Sequence, residues 1–140
     1  MNVPARLTRM PEESPNVVLI CTDQHRGDCV SADPLCPTDD DGESLLHTPN
    51  LAGLAENGAL FSRAYSPAPK CVPARKCLWT GQTPETANAT TDNNDPWAFE
   101  HALPQLLRDA GYQTHLAGKT HSQPARNHFG FEGLDLHSGL

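Results

Sequence analysis

The sequence has no long apolar run, and aromatic residues make up only 6% of it. No apolar stretch approaches the roughly 20 residues that a membrane-spanning helix needs. Residues 1–14, "MNVPARLTRMPEES", form a polar tail without the apolar centre of a signal peptide. These absences argue against a membrane partner and predict a cytoplasmic location.

Positive charge is scarce and scattered. Ten lysines and arginines stand against seventeen aspartates and glutamates, which gives a net charge of -7. Binding to nucleic acid or to an acidic membrane surface depends on clustered basic side chains. The sequence therefore predicts no nucleic-acid partner.

Closely paired cysteines are also missing. The five cysteines contain no Cys-x₂-Cys pair, so a structural zinc site is not expected. An odd number of thiols in a reducing compartment argues against a disulfide framework. Cys21, in a predicted strand, and Cys77, on a predicted helix, are interpreted as small buried apolar residues.

Short apolar runs alternate with amphipathic segments along the chain. Strands are predicted in "NVVLICTD", "ALFSRAY" and "QTHLAGKTH", and helices in "HTPNLAGLAENGALF", "ARKCLWTG" and "EHALPQLLRDAGY". This order predicts an α/β fold with a mainly parallel sheet flanked by helices. Ligands of such sheets bind beyond the carboxyl ends of the strands. Asp23 and the segment Lys119–His121 follow predicted strands directly, so both are expected near a binding site.

The segment "KCVPARKCLWTG" places a cysteine at the start of a predicted helix. The free N–H groups and the dipole at a helix N-terminus favour an anion. Arg75 lies one helical turn beyond Cys71, and its guanidinium can bind the same anion. A nucleophile, an oxyanion site and a counter-charge could therefore lie within five residues, and the alternatives for Cys71 are a reactive centre, a metal ligand and ordinary packing.

These residues resemble the signature of the sulfatase family, Cys-x-Pro-x-Arg followed by a leucine, a threonine and a glycine. The similarity continues in "PNVVLICTDQ", in "HTPNLAGLAENGALFSRAY" and in "LPQLLRDAGYQTHLAGKTH". It covers most of the chain from Pro15 onwards. The matching signature positions are Cys71, Pro73, Arg75, Leu78, Thr80 and Gly81.

The resemblance implies an alkaline-phosphatase-like α/β fold. It also implies that a formylglycine-generating enzyme oxidises Cys71 to formylglycine during maturation. The hydrated aldehyde would act as the nucleophile on a small-molecule sulfate ester or phosphonate ester, in a way that a thiol could not.

The resemblance further assigns roles to residues outside the signature. Asp23 and the modified Cys71 would bind a divalent metal, most often Ca²⁺ in this family. Arg75 would hold the formylglycine and the anion, and Lys119 would neutralise charge on the transferred group. His121 would act as a donor on the leaving-group side or as a proton shuttle.

The sequence departs from the common family pattern at three places. Asp23-Gln24 replaces a frequent pair of aspartates, which is typical of a branch that includes choline-sulfatase-like and phosphonate-hydrolase-like enzymes. Thr120 replaces a frequent tryptophan. The remaining metal ligands of the family come from a later segment that has no match here, and Asp135 is not assigned to it.

We therefore expect residues 15–140 to be the N-terminal part of a sulfatase-like catalytic domain, with an incomplete fold. The leading interpretation is a metal-dependent sulfuric ester hydrolase. One alternative is a phosphonate or phosphate ester hydrolase of the same superfamily. The other is a truncated fragment without catalytic activity.

Overall fold

The structure is a computed structural model that describes residues 14–90, 97 and 101–137. Contacts between Cα atoms divide the chain into two compact units. One unit is the segment Leu19–Tyr65, and the other holds the preceding stretch up to Val18 together with the chain from Ser66 onwards. Most of the predicted polar tail and the start of the third predicted helix at Glu100 lie outside the described residues.

The segment Leu19–Tyr65 contains one helix, α1, at Pro49–Glu56. Thr48 is its N-cap and Pro49 begins it, as predicted, because proline fixes the helical φ and needs no N–H donor in the first turn. The last helical residue is Glu56, and the C-cap Asn57 lies one residue before the predicted stop at Gly58. The predicted apolar face is not covered, since no residue of α1 is buried.

Both strands predicted in or beside this segment are wrong. Residues 16–23 and 59–65 form no strand, and the side chain of Ile20 is 79% exposed and that of Phe61 is 77% exposed. A strand is stabilised by hydrogen bonds to a neighbouring strand, and no described strand lies beside either run. Cys21, expected to be buried in the first of these strands, is consequently exposed.

The second unit contains two helices and a small sheet. Helix α2 spans Cys71–Thr80, helix α3 spans Leu103–Asp109, strand β1 spans His115–Gly118 and strand β2 spans Gly133–Leu136. Helix α2 begins three residues earlier than predicted and ends, as predicted, at Gly81, whose φ of 65° is left-handed.

Strands β1 and β2 are parallel, with His115 opposite Gly133 and Gly118 opposite Leu136. The parallel direction agrees with the predicted α/β fold, although the sheet has two strands among the described residues. Strand β2 was not predicted from the sequence. A Cβ atom on Gly133 would lie 2.3 Å from Nδ1 of His115, so the exposed His115 side chain would have to move if residue 133 were larger.

The segment before β2 packs against α3. Gly130 has a φ of +103°, and a Cβ atom there would lie 2.5 Å from the backbone N and Cα of Gln105. Trp79 of α2 also meets Phe131 edge to face, with ring centroids 5.6 Å apart. These contacts join α2, α3 and the start of β2 into one packed region. No described helix has the length and apolar character that would let it cross a membrane.

Candidate active site

The candidate site is built around the first turn of α2. Cys71 is the first helical residue and is half-buried, and Lys70 before it is an extended N-cap with φ -128° and ψ 148°. The N–H of Ala74 makes the first helical bond, 3.0 Å to the carbonyl of Lys70. The N–H groups of Cys71 and Val72 precede this bond, so they have no acceptor within the helix.

Pro73 suits this arrangement. It is buried in the first turn, where its missing N–H removes no helical hydrogen bond. The sequence prediction that Cys71 lies at a helix N-terminus is therefore confirmed. The arrangement offers N–H donors and the positive end of a helix dipole beside the Cys71 side chain.

Arg75 connects this helix to the end of strand β1. Its side chain lies one turn beyond Cys71 and is buried, with 8% of the residue exposed. Its Nη1 donates a hydrogen bond of 2.7 Å to the carbonyl oxygen of Lys119. A charged donor makes such a bond stronger than a neutral one. The structure thus brings together the helix that begins at Cys71 and the segment that contains Lys119. Arg75 and Lys119 are 44 residues apart in the sequence.

The loop after β1 carries the other predicted residues of this unit. Lys119 and His121 are half-buried, and His121 has a left-handed φ of 53°, which is uncommon for a residue with a side chain. Thr120, between them, is buried, and its Oγ1 accepts a 3.3 Å hydrogen bond from the hydroxyl of Ser122. The loop therefore packs against the rest of this unit through the buried side chains of residues 120 and 122.

Two neighbours of Arg75 on α2 have structural roles. Nζ of Lys76 donates 3.0 Å to the carbonyl of Asn88 and lies 5.9 Å from the ring centroid of Trp97. The Cys77 side chain belongs to a small apolar cluster, as predicted, and burial raises the pKa of its thiol. Cys77 therefore remains a neutral packing residue. The buried Lys76 was not singled out from the sequence, because nothing near it along the chain marks it as paired.

Asp23 lies in the other unit, in an exposed bend followed by Gln24 with a φ of 57°. Nearby, His25 donates a 3.0 Å hydrogen bond from Nε2 to the carbonyl of Cys29 and so takes part in a local turn. Among the described residues, no three histidine, cysteine, aspartate or glutamate side chains lie close enough to hold a metal ion. Asp23 is one predicted ligand, and the described residues do not form a complete metal site.

Comparison with known proteins gives the class of this chain. The sulfatase family model matches residues 15–138. An arylsulfatase of Clostridium perfringens is 34% identical over 126 residues, which cover 89% of this chain and 24% of that protein. A choline-sulfatase of Rhizobium meliloti is 34% identical over 126 residues, covering 88% of this chain and 22% of that protein.

A third relative is the human N-acetylgalactosamine-6-sulfatase, 39% identical over 93 residues that cover 57% of this chain and 18% of that enzyme. The chain belongs to the sulfatase family. It spans about a quarter or less of the length of these curated relatives.

Proposed function

We propose that this chain contributes the nucleophile and the anion-binding side chains of a sulfuric ester hydrolase. The observation that carries this proposal is the 2.7 Å bond from Arg75 to the carbonyl of Lys119, which joins the start of α2 to the loop with Lys119 and His121. Family membership and relatives whose names denote sulfatases support the same reaction class.

Residue 71 is proposed to be formylglycine in the mature protein, made by a formylglycine-generating enzyme from the cysteine. As the first residue of α2, residue 71 would carry the hydrated aldehyde beside the N–H groups of the first helical turn. The hydrated aldehyde supplies one hydroxyl for attack on the ester and a second whose deprotonation releases the sulfate.

The side chains around residue 71 would bind and orient the sulfate group. Arg75 is held by Lys119, so its guanidinium is fixed one turn from the nucleophile and presents positive charge to the sulfate oxygens. The ammonium group of Lys119 adds a second positive charge. His121 would donate a proton to the departing alcohol.

Asp23 remains a predicted ligand of a divalent cation, with Ca²⁺ as the expected ion, since a hard cation prefers carboxylate oxygen. Metal analysis of the native protein, with an Asp23→Asn variant as comparison, tests this assignment. A lower calcium content in the variant is expected. Equal calcium in both proteins would remove Asp23 from the ligand set.

The predicted cytoplasmic location can be checked by cell fractionation.

An alternative is hydrolysis of a phosphonate or phosphate ester, favoured by the Asp23-Gln24 pair. Comparing an aryl sulfate with an aryl phosphonate on the enzyme from its native host separates the two reactions. We expect the sulfate to be hydrolysed faster. A clear preference for the phosphonate would replace the sulfatase assignment.

A second alternative is a fragment without catalytic activity, which is consistent with the small share of each relative that the chain spans. The purified 140-residue chain should be assayed for ester hydrolysis. Turnover by this chain would exclude the fragment interpretation. Absence of turnover in the native protein as well would overturn the proposed function.

A further inference from the structure

A cavity of about 690 Å³ lies at the carboxyl ends of the two strands. Its lining includes Gly118 and Leu136, the last residues of β1 and β2. The main chains stay paired at this edge, because the N–H of His137 donates 3.0 Å to the carbonyl of Gly118. This is the edge of a parallel sheet at which ligands of α/β proteins bind.

One wall of the cavity carries a positive charge. Arg126 lines it with an exposed side chain and forms no ion pair with a carboxylate among the described residues. A guanidinium in this position can bind a carboxylate or a sulfate with two parallel hydrogen bonds.

Two other lining groups are hydrogen-bond acceptors. Nδ1 of His128 lies 2.9 Å from the carbonyl of Phe131, which can only accept, so Nδ1 is the donor in this bond and Nε2 is the ring nitrogen left to accept. Asp135 accepts through Oδ2 from Nε2 of His115 at 2.9 Å, and its second oxygen can accept a further bond. The cavity thus combines one cation with acceptors that suit hydroxyl groups.

The cavity is next to the candidate ester site along the chain. Gly118 lines it, and the following residue, Lys119, is the one whose carbonyl holds Arg75. A molecule that fills the cavity would therefore lie beside the segment assigned to sulfate binding.

We propose that this cavity binds the alcohol part of the substrate and selects a polyhydroxylated alcohol that carries a carboxylate or a second sulfate, such as a sugar acid. This inference rests on the proposed function, which supplies the sulfate ester. Arg126 binds the additional anionic group, and His128 and Asp135 accept hydrogen bonds from the hydroxyl groups.

The test is a calorimetric titration of the 140-residue chain with D-glucuronate, using D-glucose as the uncharged probe. Glucuronate should bind at millimolar concentration and glucose should bind at least tenfold more weakly. The Arg126→Gln variant should bind glucuronate about tenfold more weakly, which corresponds to about 1.4 kcal/mol. Since Arg126 is exposed, its replacement should leave thermal unfolding unchanged.

Arg108→Gln is the matched control. Arg108 is an arginine on α3 that donates 2.7 Å to Oε1 of Gln105 and is not part of the cavity lining. Its replacement should not change glucuronate binding. No binding of glucuronate, equal binding of glucose, or equal weakening by the Arg108 and Arg126 variants would each overturn the proposal.

The ester site is tested separately with an uncharged aryl sulfate on the native enzyme. Turnover of this ester without Arg126-dependent glucuronate binding would contradict the cavity proposal alone. Arg126-dependent binding without turnover of any sulfate ester would contradict the proposed function and, with it, the substrate role of the cavity.

Discussion

Burial is unevenly distributed between the two compact units. In the segment Leu19–Tyr65 only Asp33 and Cys36 are buried, and most hydrogen bonds join residues a few positions apart. The unit that continues from Ser66 buries residues on α2, on α3 and in the loop after β1. Its stabilising contacts connect distant positions, such as Arg75 with Lys119 and the paired strands β1 and β2. The unit with long-range contacts is the one that carries Cys71, Arg75, Lys119 and His121.

The largest expected effect is on activity, from Cys71→Ala in the native enzyme. Hydrolysis of an aryl sulfate should fall to background, because alanine supplies no nucleophile and cannot be converted to formylglycine. The fold should be retained, since Cys71 is half-buried and its replacement removes one sulfur atom. Initial rates and circular dichroism measure the two properties.

Cys21→Ala is the control, because Cys21 is exposed and lies in the predicted strand that does not form. Its activity should equal that of the unsubstituted enzyme. More than trace activity in the Cys71 variant would remove Cys71 from the mechanism.

Arg75→Gln should lower kcat by about 10²–10³-fold, since it removes the positive charge that we propose binds the sulfate. It should also lower the free energy of unfolding by about 2 kcal/mol, because the Lys119 carbonyl loses a charged donor. Arg63→Gln, at an exposed arginine of the Leu19–Tyr65 segment, should change both quantities little. If the two variants lowered kcat and the free energy of unfolding by similar amounts, the arginines of the two units would not differ in importance.

Glycine substitutions test the difference in packing directly. Gly130→Ala should lower the free energy of unfolding by about 3 kcal/mol, because its Cβ would strike the Gln105 backbone and its φ of +103° disfavours alanine. In α1, a Cβ on Gly53 meets nothing within 4 Å. Gly53→Ala should therefore stabilise the chain by about 0.5–1 kcal/mol. Urea denaturation measures the free energy of unfolding of both variants. If both substitutions changed it in the same direction, the proposed difference in packing between the two units would be contradicted.

The smallest effect concerns an exposed ion pair in the less buried unit. The hydrogen bond from Nε of Arg26 to Oδ1 of Asp28, 2.9 Å long, lowers the pKa of Asp28 below its usual 3.8. A lowered pKa in the folded state contributes stability above the unfolded pKa, and this contribution is lost as pH falls through the folded pKa. The effect should be small, because the Arg26 side chain is 75% exposed and the Asp28 side chain is only partly buried.

Arg26→Gln should return the pKa of Asp28 toward its usual value. Titration of the Asp28 carboxyl carbon by NMR measures this change. An unchanged pKa in the variant would show that Arg26 does not cause the shift.

Local patterns predicted the helices better than the strands. Helix α1 could be placed from Thr48 and Pro49, and the end of α2 from Gly81, because capping and φ preferences act within a few residues. The run "NVVLICTD" has strand composition, but a strand also depends on a neighbour that no local pattern specifies. Strand β1 has such a neighbour in β2, whose four residues from Gly133 to Leu136 are too few to give a clear pattern.

Local sequence patterns also predicted only part of the candidate site. The signature around Cys71 and Arg75 was readable from sequence because its spacing is fixed within one helix. The bond from Arg75 to Lys119 and the cavity beside Arg126 depend on how distant segments pack, so they required the structure.

The most direct test of the central claim is mass spectrometry of the enzyme purified from its native host, combined with its rate of sulfate ester hydrolysis. Trypsin cleaves after Lys70 and Arg75 and releases the peptide "CVPAR". Active enzyme should yield this peptide with an aldehyde at residue 71, and its mass should be lower by the replacement of sulfur with oxygen and the loss of two hydrogens. Active enzyme whose peptide carries only an unmodified Cys71 thiol would contradict this prediction.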